Sequence, residues 1–295
     1  MPAPAPTTTT APAAALSIPP AAVEYPWALR ALRTVQFGFA RLLSRDGYVT
    51  ARAAPFGLTF TGPAADVITR HIYRLGAHEP AITRYLIEHV RLGSGDVALD
   101  VGANIGWYSL VLQQLSAPGA QIFAFEPDPQ TYGLLCTNLR ANAADRVTPL
   151  NLALGETAGT AQLRRYKHSN NGRHTLVADG PAADMVPVAV ETLAGFWSAH
   201  ALGERPLRFL KIDVEGFEYF VLRGAGELLG RCANIFLEYS PASLRLAGLR
   251  PDALIALLRA ARLSARAFQG GELVPMSFAQ LAQVQVQHDL LLVPQ

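Results

Sequence analysis

Short apolar segments alternate with helical segments through the middle of the chain, and this alternation restricts the possible fold more than any other feature. Five runs rich in β-forming residues are predicted to be strands, at residues 97–101, 121–126, 147–154, 208–214 and 234–239. Helical patterns at 105–115 and 130–142 separate the first three runs. Strands that are apolar throughout and joined by helices are typical of a parallel sheet covered on both faces. The sequence therefore predicts an α/β domain.

The segments beyond the third predicted strand depart from this alternation. Residues 160–166 and 187–191 are predicted to be extra strands around a polar loop at 167–184. Two late strands are predicted at 264–268 and 288–293, and they could pair in antiparallel orientation.

The N-terminal part of the chain divides into two segments of different composition. Residues 1–22 carry no charge and consist mostly of Ala, Pro and Thr, which indicates a disordered, partly extended tail. They lack the basic start and apolar core of a secretory signal. Residues 23–78 are predicted to form a separate extension with a helix, a hairpin at 48–52 and 57–61, and a further helix. The main domain is expected to occupy residues 79–295.

The first predicted helix, within residues 26–45, has a basic face and an apolar face. Four arginines share one sector of the helical wheel: Arg30, Arg33, Arg41 and Arg45. Apolar residues lie opposite: Ala28, Leu32, Val35, Phe39 and Leu43. One interpretation is an amphipathic helix that contacts an anionic surface, either a membrane or an acidic glycan. The other is a helix that caps the main domain and keeps its arginines in water.

The overall composition disfavours several classes of partner. Half of the 295 residues are hydrophobic, which suits a large core, and a net charge of +2 is too small to indicate nucleic acid. No apolar run approaches the roughly 20 residues that a membrane-spanning helix requires. Cys136 and Cys232 have no neighbouring Cys or His, so we expect buried thiols and a cytoplasmic location.

A glycine-rich loop follows the first predicted strand of the main domain. The strand ends near Asp100, and Gly102 and Gly106 come next. Glycine lets the backbone turn sharply there and leaves room for a ligand against the helix N-terminus. The second strand ends at Glu126, 24 positions after Gly102, where a carboxylate can accept both hydroxyls of an adenosine ribose. This arrangement predicts a cofactor that contains a nucleoside.

The spacing of the glycines distinguishes two cofactor classes. A dinucleotide site requires G-x-G-x-x-G, whose second glycine admits the pyrophosphate, whereas this chain has Asn104 at that position. The pattern D-x-G-x-x-x-G suits a cofactor without phosphate, whose ammonium group Asp100 or nearby carbonyls can receive. S-adenosyl-L-methionine is such a cofactor, and we predict that Asp100, Gly102, Asn104, Gly106 and Glu126 bind it. A nicotinamide-dependent oxidoreductase is the alternative, which Asn104 disfavours.

Four segments, in the expected order, resemble the FkbM family of methyltransferases. Residues 211–218 read K-I-D-V-E-G-F-E, and residues 100–106 read D-V-G-A-N-I-G. Residues 125–127 match the family's F-E-P segment, and residues 151–155 match its N-x-A-L-G segment. The resemblance extends over residues 79–293.

This resemblance implies a Rossmann-like class I methyltransferase fold, with a seven-stranded, mostly parallel sheet whose last strand is antiparallel. It leaves the N-terminal helix and hairpin as an extension and makes residues 79–295 the methyltransferase catalytic domain. It also implies O-methylation of a hydroxyl on a sugar, a glycan or a natural product. Pro127, in the F-E-P segment, is then predicted to lie at the cofactor.

Transfer of a methyl group to an alcohol requires a base or a metal near the donor. The family's fold brings the methyl group to the end of the fourth strand, where Asp213, Glu215 and Glu218 cluster. We predict that Asp213 is the base, and that Asp213 and Glu215 are candidate ligands of Mg²⁺, a hard cation that prefers oxygen. The alternative is a structural role, in which these acids cap the next helix.

Two further residues are candidate bases. Glu238 ends the fifth predicted strand beside the expected acceptor site. His168 lies in the polar loop, which is long and irregular enough to be a lid, although a solvated histidine is the alternative there. A module that binds S-adenosylmethionine without catalysis is the third functional class, and the acidic cluster disfavours it.

Overall fold

A computed structural model of the chain describes residues 23–165, 175–176 and 185–295. Its strands, in chain order, are β1 (Tyr48–Ala53), β2 (Leu58–Pro63), β3 (Val97–Val101), β4 (Gln121–Phe125), β5 (Val147–Leu150), β6 (Ala153–Leu154), β7 (Gly159–Arg164), β8 (Met185–Glu191), β9 (Leu207–Ile212), β10 (Ile235–Tyr239), β11 (Leu263–Gln269), β12 (Glu272–Met276) and β13 (His288–Pro294).

The helices in the same residues are α1 (Trp27–Leu43), α2 (Val67–Leu75), α3 (Pro80–His89), α4 (Trp107–Gln114), α5 (Pro129–Ala141), α6 (Leu193–Ala199), α7 (Glu218–Ala225), α8 (Leu228–Arg231), α9 (Pro241–Leu246), α10 (Pro251–Ala260) and α11 (Phe278–Leu281). None of these helices is both long and apolar enough to cross a bilayer.

The main sheet has the strand order β5-β4-β3-β9-β10-β13-β11-β12. The five strands from β5 to β10 are parallel, and β13 lies antiparallel between β10 and β11. This confirms the parallel α/β sheet and its antiparallel last strand. An eighth strand, β12, extends the edge beyond the expected seven. It forms a hairpin with β11 through Gly270 and Gly271, whose φ angles of +60° and +91° suit a two-residue turn.

Both faces of the sheet are covered, because the central strands are apolar on both sides. All five residues of β3 are buried. Ala98 belongs to a hydrophobic cluster with residues of α4 and α5, whereas Leu99 belongs to a second cluster with residues of α6, α7 and α10. Successive strand residues point to opposite faces, so an uninterrupted apolar strand contributes to both clusters.

The predicted third strand, 147–154, is divided between two sheets. Its first half is β5 of the main sheet, and its second half is β6, which pairs with β8 in a three-stranded sheet of order β6-β8-β7. Asn151 lies at the division, and its side-chain amide donates to the backbone oxygens of Glu126 and Pro127, each at 2.9 Å. These hydrogen bonds hold the turn beside the end of β4.

The N-terminal extension shares a core with the main domain. Its hairpin, β1 and β2, is bound to α5, since the side chains of Asn138 and Asn142 accept from and donate to the backbone of β2. Phe60 and Ile72 of the extension lie in the same hydrophobic cluster as Leu110 of α4. The extension and the main domain, divided near residue 79 in the sequence, therefore do not have separate hydrophobic cores.

Helix α1 caps the extension, but with the face opposite to the expected one. Phe37 is its buried residue, and it packs against Tyr73 of α2 with 5.2 Å between ring centroids. Arg33 lies on the same side, over the rings of Tyr25 and Tyr73. The expectation that these arginines face water is wrong for Arg33, because aromatic rings supply its surroundings; Arg41 is exposed as expected.

The two cysteines are free thiols, as expected. Cys232 is fully buried before β10, but the expectation of a buried thiol is wrong for Cys136, which is half-buried on α5.

Candidate active site

An open cavity of about 1190 Å³, counting the space at its mouth, lies where β3, β4, β9 and β10 end. Its wall includes residues of the loops after these strands and of the start of α2. The lining residues of most interest are Ile68, Glu79, Gly102, Asn104, Tyr108, Glu126, Pro127, Lys211, Asp213, Glu215 and Glu238. Ligands in α/β folds of this kind bind at the carboxyl ends of the parallel strands, which is where this cavity lies.

Gly102 starts the loop after β3 with a φ of +79°, in the left-handed region. A Cβ added here would lie 1.9 Å from the carbonyl oxygen of Asp213, in the loop after β9. The positive φ agrees with the sharp turn expected at this glycine. The structure adds a second reason for glycine, because the backbones of two neighbouring strand ends approach closely here.

Asn104 and Glu126 connect the loop to the end of β4. Asn104 has a φ of +51°, and its amide donates to Oε2 of Glu126 at 2.9 Å. The amide of Asp128 donates to Oε1 at 3.0 Å. Each carboxylate oxygen has a further lone pair, so both can still accept a hydroxyl. Burial raises the pKa of Glu126 to about 8, against the opposing effect of these two amides.

The remaining amides of the glycine-rich loop also have partners within the protein. Those of Gly102 and Ala103 donate to the carbonyl of Phe125, and that of Gly106 donates to Ala103. The amide of Ile105 donates to the side chain of Asn104 at 2.8 Å. A phosphate at a helix N-terminus is held by such amides when they are unpaired. The loop is therefore poorly suited to a pyrophosphate.

Asp100 lies behind the cavity rather than in its lining. It is fully buried, and its Oδ2 accepts the hydroxyl proton of Ser109 at 2.6 Å, which joins β3 to α4. Its Oδ1 has no hydrogen-bond partner among the described residues. Burial raises the pKa of this carboxyl. A direct contact between Asp100 and the cofactor remains a prediction.

Gly106, also predicted to bind the cofactor, lies at the start of α4 with a φ of +92°. A Cβ there would approach Leu135 of α5 to 2.8 Å, so this glycine also permits close helix packing. Pro127 lies in the cavity wall.

Asp213 follows β9 and lines the cavity beside Lys211. Its Oδ2 lies 2.9 Å from Nζ of Lys211, a buried ammonium that also lies 4.9 Å from the centre of the Tyr108 ring. Burial lowers the pKa of Lys211, whereas the negative charges of Asp213, Asp100 and Glu79 raise it. Together the charges outweigh burial, so the pKa lies above its ordinary value. Lys211 therefore stays charged and balances this acidic region.

Glu218 has a structural role, although it does not cap the next helix as the structural alternative supposed; it binds the loop that precedes α7. Its Oε1 accepts from the amides of Val214 at 3.1 Å and Gly216 at 3.0 Å. These bonds hold the loop that presents Asp213 and Glu215, the latter with a φ of +51°. Burial raises the pKa of Glu218 to about 7.

Three carboxylates that the sequence analysis selected come together here. Asp213, Glu215 and Glu238 each offer an oxygen, and these atoms lie within 4.8 Å of one another. Such a group of oxygens is of the kind that binds a hard divalent cation. Burial and the charges of Asp213 and Glu215 raise the pKa of Glu238 well above its ordinary value.

Three residues near this group were missed by the sequence analysis. Glu79, with a φ of +42°, accepts a hydrogen bond from the hydroxyl of Tyr108. Asp289 on β13 lies opposite Glu238 in the antiparallel register. Burial and the charges of Glu79 and Asp213 raise the pKa of Asp289 to about 7. Tyr108 follows directly after the glycine-rich loop, which could have revealed it, whereas the position of Asp289 depends on register. His168, the other candidate base, lies outside the described residues.

A sheet of this strand order, with an inverted last strand and a carboxylate at the end of the second parallel strand, defines a Rossmann-like methyltransferase. The family model described as the methyltransferase FkbM domain matches residues 100–261, and the chain belongs to this family. The resemblance drawn from the four sequence segments is thereby confirmed.

Several curated proteins are similar to this chain. The hexuronic acid methyltransferase AglP of Haloferax volcanii is 30% identical over 187 residues, which are 63% of this chain and 70% of that protein. The 2-O-methyltransferase NoeI of Sinorhizobium fredii is 28% identical over 195 residues, which are 60% of this chain and 76% of that protein. The 31-O-demethyl-FK506 methyltransferase FkbM of Streptomyces tacrolimicus is 40% identical over 83 residues, which are 28% of this chain and 31% of that protein.

Proposed function

We propose that this methyltransferase uses S-adenosylmethionine to methylate a hydroxyl of a sugar, a glycan or a natural product. The observation that supports the cofactor most strongly is Glu126, whose two oxygens are fixed by backbone amides and each retain an acceptor site. A ribose offers two adjacent hydroxyl donors, which match this pair of acceptors. The satisfied amides at residues 102–106 disfavour the pyrophosphate of a nicotinamide cofactor.

The protein's task in this reaction is alignment and proton removal. The cofactor supplies an activated methyl group bonded to a sulfonium, so the chain needs to hold the acceptor oxygen in line and exclude water. Asp213 lies at the strand end nearest the expected position of the methyl group. Its carboxylate is suited to receive the acceptor's hydroxyl proton, and its ion pair with Lys211 fixes its orientation.

A divalent cation is the second way in which this site could activate a hydroxyl. Asp213, Glu215 and Glu238 would hold Mg²⁺, which would supply Lewis-acid activation by lowering the pKa of the acceptor hydroxyl, so that water could take its proton. In that case Asp213 is a ligand rather than the base. Removal of the metal distinguishes these two roles.

The class of acceptor is proposed from the relatives together with the cavity. One relative is named for hexuronic acid, one for 2-O-methylation and one for an oxygen of FK506. The cavity, which Ile68, Leu154 and Phe217 line beside the carboxylates, offers both apolar surface and acceptors for hydroxyl groups.

Calorimetric titration followed by a transfer assay tests this proposal. We expect binding of S-adenosylmethionine and S-adenosylhomocysteine and none of NAD. A panel of hexoses, hexuronic acids and macrolide alcohols, assayed by mass spectrometry, is expected to give a product heavier by one methylene. Tight binding of NAD would contradict the cofactor, and binding of the cofactor without transfer to any class of hydroxyl would favour a non-catalytic module.

A further inference from the structure

Helix α1 has a continuous apolar face that the described residues leave uncovered. At 100° per residue, nine consecutive positions on the wheel, spanning a sector of about 160°, hold only Trp, Leu, Val, Phe, Ala or Gly. The large side chains of this face are all exposed: Trp27, Leu32, Val35, Phe39, Leu42 and Leu43. Isolated exposed hydrophobic residues are ordinary, whereas a contiguous patch of this kind marks an interaction surface.

The contacts of α1 fix it with this face outward. Phe37 is buried against Tyr73, and Thr34 accepts a hydrogen bond from Nε of Arg74 at 2.9 Å. The guanidinium of Arg33 lies 5.6 Å from the ring centre of Tyr25. Rotation of the helix to bury its apolar face would break all of these contacts. The face is therefore a feature of the folded chain.

The charge of the extension identifies the kind of partner. Residues 23–78 carry seven arginines and three acids, a net charge of +4. The whole chain carries +2 and residues 1–22 are uncharged, so residues 79–295 carry −2. Arg41 in the last turn of α1 and Arg45, two residues beyond its end, are exposed. A net positive charge on the segment that carries the apolar face complements an anionic lipid surface and disfavours a second copy of the same extension.

We propose that α1 docks the protein on an anionic bilayer surface, with its axis in the plane of the membrane. The helix has 17 residues and is thus about 25 Å long, and its Trp, Phe and Leu side chains would enter the boundary between headgroups and acyl chains. Helix α2 packs directly on α1, and its first residues, Val67 and Ile68, line the cavity. Docking would therefore bring the cavity close to acceptors carried by the membrane.

Sedimentation with vesicles tests this surface without requiring methyl transfer. The full-length chain is mixed with vesicles of equimolar phosphatidylcholine and phosphatidylglycerol, or of phosphatidylcholine alone. We expect binding to the anionic vesicles that weakens with added salt. Phe39→Glu, at a side chain 62% exposed, is expected to lower the partition coefficient at least about tenfold. The matched control is Leu246→Glu on α9, at a side chain 57% exposed, which should bind as the unaltered protein does.

Several outcomes would overturn the proposal. Equal binding by the unaltered protein and Phe39→Glu, with both melting at the same temperature, would exclude this face. Light scattering that shows a dimer dissociated by Phe39→Glu, without vesicle binding, would assign the face to a second copy. Vesicle binding that appears only after deletion of residues 1–22 would mean that this segment, rather than a membrane, occupies the apolar face in the full-length chain. Failure of the cofactor titration would leave the vesicle result unaffected, so the two proposals fail separately.

Discussion

The amide of Asn104 donates to Oε2 of Glu126 at 2.9 Å, which ties the glycine-rich loop after β3 to the end of β4. The two residues are 22 positions apart in the chain and belong to different family segments. The carboxylate proposed to accept a ribose thus also holds the loop in its left-handed conformation. Loss of that carboxylate would remove both the proposed ribose acceptor and the hydrogen bond that holds the loop. Different substitutions can separate these two effects.

Substitution of Glu126 should weaken binding of S-adenosylhomocysteine. Glu126→Ala removes both acceptors and leaves two amides unpaired, so we expect an affinity at least about tenfold lower. Glu126→Gln keeps one acceptor oxygen and should lose less. Calorimetry measures both affinities, and thermal melting confirms that each variant folds. Undiminished affinity in a folded Glu126→Ala variant would rule out the ribose contact.

Gly102→Ala should destabilise the whole protein, because its Cβ would meet the carbonyl of Asp213 at 1.9 Å. Gly95→Ala is the control, since Gly95 has a φ of +90° and nothing within 4 Å of the added atom. The control should cost only the left-handed strain, about 1–2 kcal/mol. Urea unfolding should show a clearly larger loss for Gly102→Ala. Equal losses would mean that the close approach of the strand ends has no energetic effect.

Asp213→Asn should reduce turnover by about 10²–10⁴ while S-adenosylhomocysteine binds nearly as before. The change keeps the shape of the side chain but removes the charge that faces Lys211. Asp289→Asn, opposite Glu238 in the strand register, is the comparison and should affect turnover less. Turnover in Asp213→Asn close to that of the unaltered enzyme would transfer the role of base to Glu238 or His168.

Treatment with a chelator should lower turnover, and Mg²⁺ should restore it, if the three clustered carboxylates hold a metal. Glu215→Gln should then require more Mg²⁺ for half-maximal activity, because it removes one anionic oxygen from the group. The measurement is turnover against free Mg²⁺ in both proteins. Activity that a chelator leaves intact would instead assign Asp213 to direct proton removal.

Glu218→Gln should flatten the dependence of stability on pH. The pKa of this carboxyl is raised in the folded protein, from 4.5 to about 7. Stability from Glu218 is therefore greatest below pH 4.5 and is lost as the pH rises toward 7, because the unfolded chain releases its proton first. Glutamine keeps an acceptor for the amides of Val214 and Gly216 without this loss.

We therefore expect Glu218→Gln to melt at a higher temperature than the unaltered protein above pH 7 and to differ less near pH 5. Glu272→Gln, at an exposed position in the β11–β12 hairpin, is the control and should follow the unaltered protein. Parallel melting curves for all three proteins across this range would show that burial does not raise the pKa of Glu218.

The sequence predicted the central strands of the sheet with accurate bounds but missed one strand at its edge. The bounds of β3 agree with the prediction, and β4 differs by one residue, because a strand buried on both faces is an unbroken apolar run. The β12 strand was missed, although Gly270 and Gly271 are a recognised hairpin signal. Its own residues are mostly exposed, so it lacks the apolar pattern that identifies a strand.

The sequence by itself determined the α/β class, the family and the positions of the acidic residues, because contiguous motifs and local periodicity carry that information. Tertiary structure alone decided which face of α1 is buried, since Phe37 and Arg33 find aromatic partners on segments that precede and follow the helix. It also decided that Asp289 lies opposite Glu238 and that Gly102 lies against Asp213. Strand register and close backbone contacts arise from packing between distant segments, which no local pattern specifies.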